Sequence, residues 1–451
     1  MLGPAQMRRL RLRARQALAR RRWDHRVEPR LGFLSPMPPA PTGIATYARA
    51  VLDGLAREGF LDRHRVDVVW PVAGRHEALV PWYALAVYQL GNNVLFHRDI
   101  YRHAVQTPGL VVLHDLALDD FVRGLVAQGD PLGHQAAREA LRLRDRIRSA
   151  DAFVNPPLRV PWVAHVARRA RGIVVHSDFG RRYLEELGCR TPVFVVPHPV
   201  VEDDRALERA GRRSGELRAP AGARGMEVLV GVLGDLNAAK LIDVVLAAVA
   251  QLPASVHAVV VGRRVEGHDV DAAVGASGLG ERVALHADVS DEDFLAWLRA
   301  VDVVVDLRFP HRGEVSGTLI RAFQAAKPVV VSATGSYLDL PDDAVVRVPA
   351  GRPDPGAVAD VLRRLALDPA RRGRIGLAGR RYVEELRRTD ATTRGYVAAI
   401  EGTLALVRDP ARRALARWAE ALADLGLTEE DLAEGHGLSY VRALETFTAL
   451  R

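Results

Sequence analysis

The chain has 451 residues, too many for one ordinary hydrophobic core, so we expect two domains of about 200 residues each. Apolar residues make up 48% and charged residues 26% of the sequence, which is typical of a soluble globular protein, and no apolar run is long enough to span a membrane. The single cysteine, Cys189, excludes an intrachain disulfide and a cysteine-based metal cluster. Arginines interrupt any signal-like segment at the start, and we therefore expect a cytoplasmic protein.

The formal net charge is +8, and the excess is concentrated in an arginine-rich arm at residues 8–30. Two interpretations of this arm remain open. It is either a solvated extension or a surface helix that makes peripheral contact with anionic lipid at the inner face of a membrane. The rest of the chain has no basic stripe with interleaved aromatic residues, so no nucleic-acid partner is expected.

Lysine is almost absent, since the sequence contains only Lys240 and Lys327 among its many basic residues. A lysine that persists where arginine is otherwise used indicates a need for a compact ammonium group. Lys240 lies in a loop that other features mark as phosphate-binding. Lys327 directly precedes a predicted strand, and we interpret it as structural.

In the first half, short apolar runs bounded by Gly, Pro or polar residues predict buried parallel strands. These strands are predicted at 31–35, 66–70, 110–114, 172–176 and 193–197. Helices are predicted at 44–55 and 136–149. A polar, charged segment at 202–224 then breaks the alternation, and we place the interdomain linker at 206–224.

The second half restarts the alternation of strand, loop and helix. Strands are predicted at 228–233, 257–261, 283–286, 301–306, 328–332 and 344–348. Helices are predicted at 241–251, 291–300, 318–326 and 355–367. After about residue 380 the pattern is helical, with amphipathic candidates at 396–407 and 410–425 and a helical appendage at 427–450.

This alternation predicts an α/β fold of two Rossmann-like, parallel-sheet domains that face each other across a cleft, followed by C-terminal helices. The predicted divisions are an N-terminal arm at 1–30, a first domain at 31–205, the linker, a second domain at 225–380 and a C-terminal helical segment at 381–451. Ligands of such sheets bind beyond the carboxyl ends of the strands. Candidate site residues are therefore sought in the loops that follow the strands.

Two loops of the first half meet this criterion. In the loop at 36–44, Gly43 allows close approach of a ligand to the backbone, and Thr42 begins a helix whose free N–H groups suit a diphosphate. A rigid proline turn without a ligand is the alternative. His114 ends a buried strand, where a neutral imidazole can donate a hydrogen bond to a sugar hydroxyl or a phosphate oxygen. Its alternative is a structural histidine paired with Asp115.

The loop at 234–240 follows the first strand of the second half and contains Gly234, Asn237 and Lys240. An ammonium at this position could stabilise the diphosphate that leaves when a sugar is transferred. A solvated lysine on the first turn of a helix is the alternative. The spacing differs from that of a Walker loop, so ATPase chemistry is not indicated.

The loop at 307–318 offers Glu314 as an acceptor for sugar hydroxyls. The helix N-terminus that follows supplies backbone N–H groups. These belong to Ser316, Gly317 and Thr318. The alternative is a surface ion pair between Arg308 and Glu314, which would contribute little stability.

Other acidic residues are interpreted as helix surface. Asp269 and Asp271 have the spacing of a metal–diphosphate motif, but no apolar strand closely precedes them. Asp119 and Asp120 receive the same interpretation. No cluster of histidines and carboxylates has convincing metal-ligand spacing, so no metal is expected.

Taken in order, these stretches resemble the family 4 retaining glycosyltransferases of the GT-B fold from about residue 31 to residue 407. The resemblance is carried by SPMPPAPTGIATY, YQLGNN, PGLVVLHDLALDD, GIVVHSDFGRRYL, VFVVPHPV, GDLNAAKLIDVVL, VVVGR, LRFPHRGEVSGTLIRAF and AAKPVVVSATGSYLDLPDD. The order and spacing of these stretches are specific, although no single one is decisive.

The resemblance implies sugar transfer from a nucleoside diphosphate donor, with retention of anomeric configuration and without a metal or other cofactor. It implies that the Gly43 loop faces the donor diphosphate, His114 contacts the donor sugar, Lys240 binds the diphosphate and Glu314 holds sugar hydroxyls. Gly234, Asn237 and the 316–318 amides complete the implied donor site. The implied acceptor side comprises Asn92, Asn93 and Asp115.

Two positions depart from the family pattern. The family often has a ribose-binding glutamate eight residues after the first, where this chain has Ala322. An arginine often accompanies the lysine of the diphosphate loop, where this chain has Asp235 and Asn237. Arg263 or Arg308 is the candidate for the missing positive charge.

The predicted function is transfer of a sugar to a saccharide, lipid-linked or other acceptor. Two alternatives stay open, a non-catalytic nucleotide-sugar binding protein and a sugar-nucleotide epimerase. A phosphorylase is less favoured, because Lys327 lacks the surroundings of a pyridoxal phosphate site.

Overall fold

The computed structural model describes residues 30–69, 83–201, 204–218 and 227–408. Residues 1–29 of the predicted arm lie outside this part, as do residues 219–224 of the predicted linker and the helices predicted at 410–425 and 427–450. The described residues form two six-stranded sheets in which every strand pairing is parallel. The predicted α/β architecture is confirmed.

The first sheet is built from six strands in the order β2-β1-β3-β4-β5-β6. These are β1 (Leu31–Leu34), β2 (Val66–Val69), β3 (Leu85–Leu90), β4 (Leu110–Leu113), β5 (Gly172–Val175) and β6 (Val193–Val195). Sequence analysis missed β3, which lies between β1 and β4, with Leu31 opposite Leu85 and Val87 opposite Leu110. Tyr88 and Gln89 interrupt its apolar run, yet both side chains are fully buried because each finds hydrogen-bond partners inside the protein.

Helices cover both faces of the first sheet, as a parallel sheet requires. They are α1 (Gly43–Arg57), α2 (Phe60–Arg63), α3 (Val94–Gln106), α4 (Asp119–Ala127), α5 (Pro131–Arg142), α6 (Ala150–Val154), α7 (Ala164–Ala167) and α8 (Asp178–Glu186). The helix predicted at 136–149 is wrong at both ends. It begins at Pro131, where Asp130 caps it by accepting a hydrogen bond from the Leu132 N–H at 3.0 Å.

The second sheet has the order β12-β11-β10-β7-β8-β9. Its strands are β7 (Val228–Leu233), β8 (Val256–Gly262), β9 (Val283–Ala287), β10 (Val303–Asp306), β11 (Val329–Ser332) and β12 (Val345–Val348). All six were predicted to within two residues at each end. The valine-rich runs of β7, β8, β10 and β11 are buried along their whole length, which is why their apolar character in sequence is continuous.

The helices of the second half flank this sheet. They are α9 (Asp204–Arg218), α10 (Ile242–Ala250), α11 (Val270–Gly275), α12 (Asp291–Ala300), α13 (Gly317–Gln324), α14 (Pro355–Leu367), α15 (Pro369–Arg388) and α16 (Ala391–Arg408). No helix in the described ranges is long and apolar enough to cross a bilayer.

Helix α9 occupies most of the segment predicted as a linker and packs against α12. Two of its arginines form ion pairs with that part of the second domain. Arg218 lies 2.7 Å from the Asp302 carboxylate and donates to the Ala300 carbonyl at 2.8 Å, and Arg213 lies 2.8 Å from Asp293. Over its described part, the segment predicted as a linker is therefore a helix that packs on the second domain and exposes most of its other charges.

Helix α16 returns from the second half of the chain to the first sheet. Tyr396, Ile400 and Leu404 are buried in the same cluster as Leu31 and Tyr47. The C-terminal helical segment therefore completes the core of the first domain.

Candidate active site

Lys240 ends a short 3-10 turn (Ala238–Lys240) that follows β7. Its ammonium lies 3.0 Å from Asp306 Oδ1, and its side chain is only 1% exposed. Burial lowers the pKa of Lys240, while Asp306 acts in the opposite direction. The lysine is therefore a buried, paired group, and the alternative of a solvated lysine is wrong.

Gly234 brings the backbone of the same loop against Lys240. Its φ of +109° lies in the left-handed region, and a Cβ there would be 2.7 Å from Thr318 Oγ1 and 3.2 Å from Lys240 Nζ. A side chain there would clash with Thr318 and crowd the end of Lys240. The structure thus brings three predicted residues, Gly234, Lys240 and Thr318, into contact.

Asp306 ends β10 and anchors the positive charges around it. Besides Lys240, its carboxylate has Arg308 Nη1 at 3.5 Å and accepts a hydrogen bond from the Tyr337 hydroxyl at 2.9 Å. Burial alone would raise the pKa of Asp306, but Lys240 and Arg308 lower it well below its usual range. Sequence analysis missed this residue, although an acid at the carboxyl end of an apolar strand was a signal that could have identified it.

Glu314 belongs to the same cluster. Its carboxylate lies 3.3 Å from Arg308 Nε and accepts a hydrogen bond from the Arg312 backbone N–H at 2.7 Å. Burial opposes its ionisation, but His311 and Arg308 lower the pKa of Glu314. The predicted Arg308–Glu314 ion pair exists, but it is mostly buried, with the Arg308 side chain only 12% exposed.

The second domain therefore offers a compact charged cluster, Lys240, Asp306, Arg308 and Glu314, beside the N-terminus of α13. Ser316 caps this helix by accepting a hydrogen bond from the Leu319 N–H at 3.3 Å. Two cations and a helix N-terminus favour an anion. At the position of the family's second glutamate, Ala322 is fully buried inside α13.

His114 presents a different chemistry from the first domain. Its Nε2 lies 2.8 Å from Gln89 Oε1, and the Tyr47 ring lies 4.6 Å away edge-on. Burial, followed by His176, lowers the pKa of His114 well below its usual value, so the imidazole is neutral. The predicted alternative of pairing with Asp115 is wrong, because the partner of the ring is Gln89.

Two more imidazoles lie beside His114. The ring of His176 is 5.0 Å from that of His114, and the ring of His198 is 5.2 Å from that of Tyr47. Burial lowers the pKa of His176 to about 4 and that of His198 to about 3. Both line a cavity of about 170 Å³ between the domains, which Ser316 and Tyr337 also line. Sequence analysis did not identify these residues.

The predicted acceptor-side residues lie together near His114. Asp115 Oδ2 accepts a hydrogen bond from the Asn92 backbone N–H at 2.9 Å. Burial and the nearby Glu314 raise the pKa of Asp115 to about 7. Asn93 caps α3 by accepting a hydrogen bond from the Leu95 N–H at 2.9 Å, which gives this asparagine a structural task.

Asp119 was interpreted as helix surface, and this is wrong. The residue is only 3% exposed, and its carboxylate accepts hydrogen bonds from Asn92 Nδ2 at 3.1 Å and from Arg312 Nε at 2.9 Å. Arg312 belongs to the second domain, so this ion pair joins the two domains. The neighbouring Asp120 is exposed, and it also lies 2.9 Å from Arg312.

Backbone contacts align the two sides of the cleft. The N–H groups of Leu116 and Ala117 donate to the Arg312 carbonyl at 2.8 and 3.0 Å. Arg263 donates to the Pro41 carbonyl and lies 2.8 Å from Asp235, so it bridges the Gly43 loop and the loop that contains Lys240. A Cβ on Gly43 would meet nothing within 4 Å, so the glycine faces open space. The two predicted phosphate loops therefore face each other.

The remaining candidates lie elsewhere. Asp269 caps α11, and Asp271 is exposed and lies 3.0 Å from Arg264, as expected for a solvated helix face. Lys327 donates to the Arg299 carbonyl at 2.8 Å, which agrees with a structural role. Within the described ranges, no group of three or more His, Cys, Asp or Glu side chains could hold a metal ion.

The comparisons with known proteins agree with this architecture. The family model for glycosyl transferases group 1 matches residues 227–368, the part that contains the charged cluster. The chain is 34% identical over 143 residues to D-inositol 3-phosphate glycosyltransferase of Xylanimonas cellulosilytica, a match that covers 31% of this chain and 34% of that protein. A protein of the same name from Mycobacterium marinum is 30% identical over 213 residues, covering 46% of this chain and 44% of the relative. The matches thus span less than half the length of these relatives.

Solved structures extend the likeness of the fold to most of the chain. Sucrose-phosphate synthase from Thermosynechococcus elongatus has a TM-score of 0.58 at 19% identity and covers 82% of this chain and 98% of its own. HepE of Anabaena, solved in complex with UDP, has a TM-score of 0.57 at 16% identity and covers 83% of this chain and 100% of its own. The chain therefore resembles GT-B glycosyltransferases, with two facing Rossmann-like domains and C-terminal helices.

Proposed function

We propose that this protein is a glycosyltransferase that moves a sugar from a nucleoside diphosphate donor to an acceptor hydroxyl. One observation carries the proposal. A buried cationic pair, Lys240 and Arg308, lies beside the N-terminus of α13 and opposite the open Gly43 loop. This arrangement fits a diphosphate held between two domains, and its two cations and α13 lie within the segment that matches glycosyl transferases group 1.

Arg308 could supply the positive charge that is missing from the diphosphate loop, the second departure from the family pattern. Asp235 stands where an arginine often accompanies the lysine, and Arg308 approaches the same cluster from the end of β10 instead. Arg263 is held by Asp235 and the Pro41 carbonyl, which suits a role in aligning the loops. We assign the second phosphate-binding cation to Arg308 and backbone contacts to Asn237 and the 316–318 amides.

A nucleotide-sugar donor is supported by what related structures contain. HepE of Anabaena has been solved with UDP and with UDP-glucose, at 16% and 15% identity to this chain. The fold is thus shared with a protein that holds such a ligand. We propose a nucleotide-sugar donor for this chain and a saccharide or lipid-linked acceptor.

We further propose transfer with retention and without a metal. In that reaction, the bond between the anomeric carbon and the diphosphate oxygen breaks, the acceptor oxygen bonds to the same face, and the acceptor proton passes to the departing phosphate. Positive charge from Lys240 and Arg308 stabilises the leaving diphosphate. Glu314 is held by Arg308 and the Arg312 amide, an arrangement that suits binding of sugar hydroxyls better than nucleophilic attack.

The test begins with the purified full chain and a thermal-shift screen against UDP, GDP and ADP with their sugars. A donor that binds the native state raises Tm. The donor that binds is then supplied with a panel of saccharide and lipid-linked acceptors, with and without a chelator. We expect acceptor-dependent nucleotide release that survives chelation, and a product whose NMR coupling constants show the anomeric configuration of the donor.

Three results would separate the alternatives. Binding without turnover over the whole panel favours a nucleotide-sugar binding protein. Conversion of the donor sugar without acceptor favours an epimerase. A product of inverted configuration contradicts the retaining mechanism while leaving glycosyl transfer intact.

A further inference from the structure

We propose that Gln89 and Tyr396 are positioning residues that hold His114 in one neutral form, with its Nε2 proton committed to the protein and its Nδ1 lone pair presented to the cleft. The inference concerns the state of the imidazole. It rests on the proposed function in one respect only, namely that the group which contacts Nδ1 belongs to the sugar donor or the acceptor.

Gln89 determines which nitrogen of His114 carries the proton. The side chain lies in the centre of the first sheet with no exposed surface, so both ends of its amide need partners. Its Nε2 donates to the Tyr396 hydroxyl at 3.3 Å, and its Oε1 lies 2.8 Å from His114 Nε2. An amide oxygen only accepts, so the proton of the neutral imidazole is on Nε2.

Tyr396 is the partner of the other end of that amide. Its oxygen accepts from Gln89 and lies 2.8 Å from the Tyr47 hydroxyl. Burial raises the pKa of both tyrosines, so neither hydroxyl ionises near neutral pH. With the opposite amide orientation, Gln89 would donate to His114 Nε2 and accept from the Tyr396 hydroxyl, and the imidazole proton would be on Nδ1, so the measured tautomer reports which orientation the amide has. The pair of hydroxyls thus completes a chain that runs from Tyr47 through Tyr396 and Gln89 to His114.

The second nitrogen of His114 is left free. Nδ1 has no hydrogen-bond partner among the described residues, and it is not sealed from solvent as His176 Nε2 and His165 Nε2 are. His114 itself is partly exposed at the cleft. A lone pair at this position accepts a hydrogen bond from a hydroxyl and cannot donate one to a phosphate oxygen.

The groups that surround the ring keep it neutral. His176, His97 and His198 each lower the pKa of His114 after burial. The adjacent Asp115 directs Oδ2 to the Asn92 N–H rather than to the imidazole. The uncharged Tyr47 and Gln89 complete the surroundings, so no described hydrogen bond or ion pair joins the ring to a carboxylate.

The consequence is a link between the end of the described chain and the cleft. Tyr396 belongs to α16, which follows the second domain and docks on the first sheet. Docking of α16 therefore determines whether the ring nitrogen of His114 that faces the cleft accepts or donates a hydrogen bond.

The experiment uses the full chain labelled with ¹⁵N-histidine, and it requires no substrate. Long-range ¹H–¹⁵N spectra distinguish the two neutral tautomers from the imidazolium, and a His114→Gln variant assigns the signal. We expect the neutral Nε2–H form in the wild type and a mixture of tautomers in Gln89→Leu. In Gln89→Glu we expect an imidazolium near neutral pH, because the new carboxylate favours the charged ring.

A matched pair of tyrosine variants tests the rest of the chain. Tyr396→Phe removes the hydroxyl that orients Gln89, whereas Tyr183→Phe removes a buried hydroxyl that donates to the Leu158 carbonyl at 2.9 Å, away from His114. Tyr396→Phe should broaden or shift the His114 signal, and Tyr183→Phe should leave it unchanged. An Nδ1–H tautomer in the wild type, or an unchanged signal in Gln89→Leu, overturns the proposal.

Once a donor is known, steady-state kinetics provide an independent test of the positioning role. Gln89→Leu should lower kcat by about tenfold with little change in donor KM, the factor that loss of one ordinary hydrogen bond gives. Full activity of Gln89→Leu with a changed tautomer would overturn the positioning role. Absence of activity in the wild type would count against the glycosyltransferase proposal alone, since the spectra are recorded without substrate.

Discussion

The two sides of the cleft differ in how they use polar residues. The second domain contributes a cluster of four charged side chains, Lys240, Asp306, Arg308 and Glu314, in which every member has an oppositely charged partner. The first domain contributes uncharged groups of similar burial, including the imidazole of His114 and the amide of Gln89. One side is suited to an anion, and the other to hydroxyl groups.

The difference follows from what each side must avoid. A buried charge is costly unless paired, so the cations of the second domain require Asp306 and Glu314 as counterions. The buried imidazoles of the first domain avoid that cost by remaining neutral, because burial lowers the pKa of each. Changes that alter charge on the second side should therefore have larger effects than changes on the first.

The largest effect is expected from Asp306→Asn. This variant leaves Lys240 and Arg308 buried without their shared counterion, and loss of one partner of a buried pair costs about 3 kcal/mol or more of unfolding free energy. The pKa of Asp306 is lowered in the folded state, so its contribution is present above the unfolded value near 4 and is lost as the pH falls below it. Urea titrations at pH 7 measure the loss.

Asp302→Asn is the matched control for that variant. Asp302 precedes the same strand and lies 2.7 Å from Arg218, but the Arg218 and Asp302 side chains are each 23% exposed. Its loss should destabilise the protein by less. Equal destabilisation by the two variants would show that the Asp306 cluster is no more costly to break than a partly solvated pair.

The next largest effect is expected on catalysis from Lys240→Ala. We expect turnover to fall on the order of a hundredfold or more, as loss of a key charge stabiliser often does. Lys327→Ala is the natural control, since Lys327 is the only other lysine and its ammonium donates to the Arg299 carbonyl before β11. Steady-state assays with the identified donor, and circular dichroism to check the fold, make the comparison.

Unchanged turnover in a folded Lys240→Ala protein would remove the ammonium from the proposed mechanism. An equal fall in Lys327→Ala would assign the loss to the fold of the second domain. Either result would weaken the contrast between the two sides of the cleft.

The smallest effect is expected from Asp115→Asn, which tests a buried carboxyl of the first domain that lies near Glu314. The pKa of Asp115 is raised to about 7 by burial and by Glu314. A raised carboxyl pKa favours folding at low pH, and this contribution is lost as the pH rises from about 4, the unfolded value, to about 7. When the pH is raised from 5 to 8, the Tm of the wild type should therefore fall by more than the Tm of Asp115→Asn.

Thermal unfolding of both proteins at the two pH values decides the matter. Parallel loss of Tm in the wild type and the variant would show that Asp115 titrates normally. The carboxyl would then belong with the solvated acids rather than with the cluster around Glu314.

Much of the fold was predictable because its strands are continuous apolar runs with clear boundaries. The valine-rich runs of β7, β8, β10 and β11 follow this rule, and all six strands of the second sheet were located. β3 was missed because Tyr88 and Gln89 break its pattern, and their burial depends on partners at Thr107, His114 and Tyr396 that are distant in sequence. Periodicity cannot show such partners.

The residues of the candidate site were predictable to different degrees for the same reason. Gly234, Lys240 and Glu314 were located because loops that follow strands converge at one edge of a sheet. Asp306 and Asp119 were overlooked or misinterpreted, since their burial depends on the cations Lys240 and Arg312 that reach them from other elements. A carboxylate on a helix looks like surface until the domain opposite supplies its partner.

The return of α16 to the first sheet has a consequence for biosynthesis. Tyr396, Ile400 and Leu404 fill a core begun by Leu31 and Tyr47, so the first domain stays incomplete until α16 has left the ribosome. During translation, an apolar surface of the first domain therefore stays exposed to solvent while the second domain is synthesised and folds. A fragment that stops after β6 would keep this surface exposed and should aggregate. Adding α16 to it as a separate peptide should recover solubility.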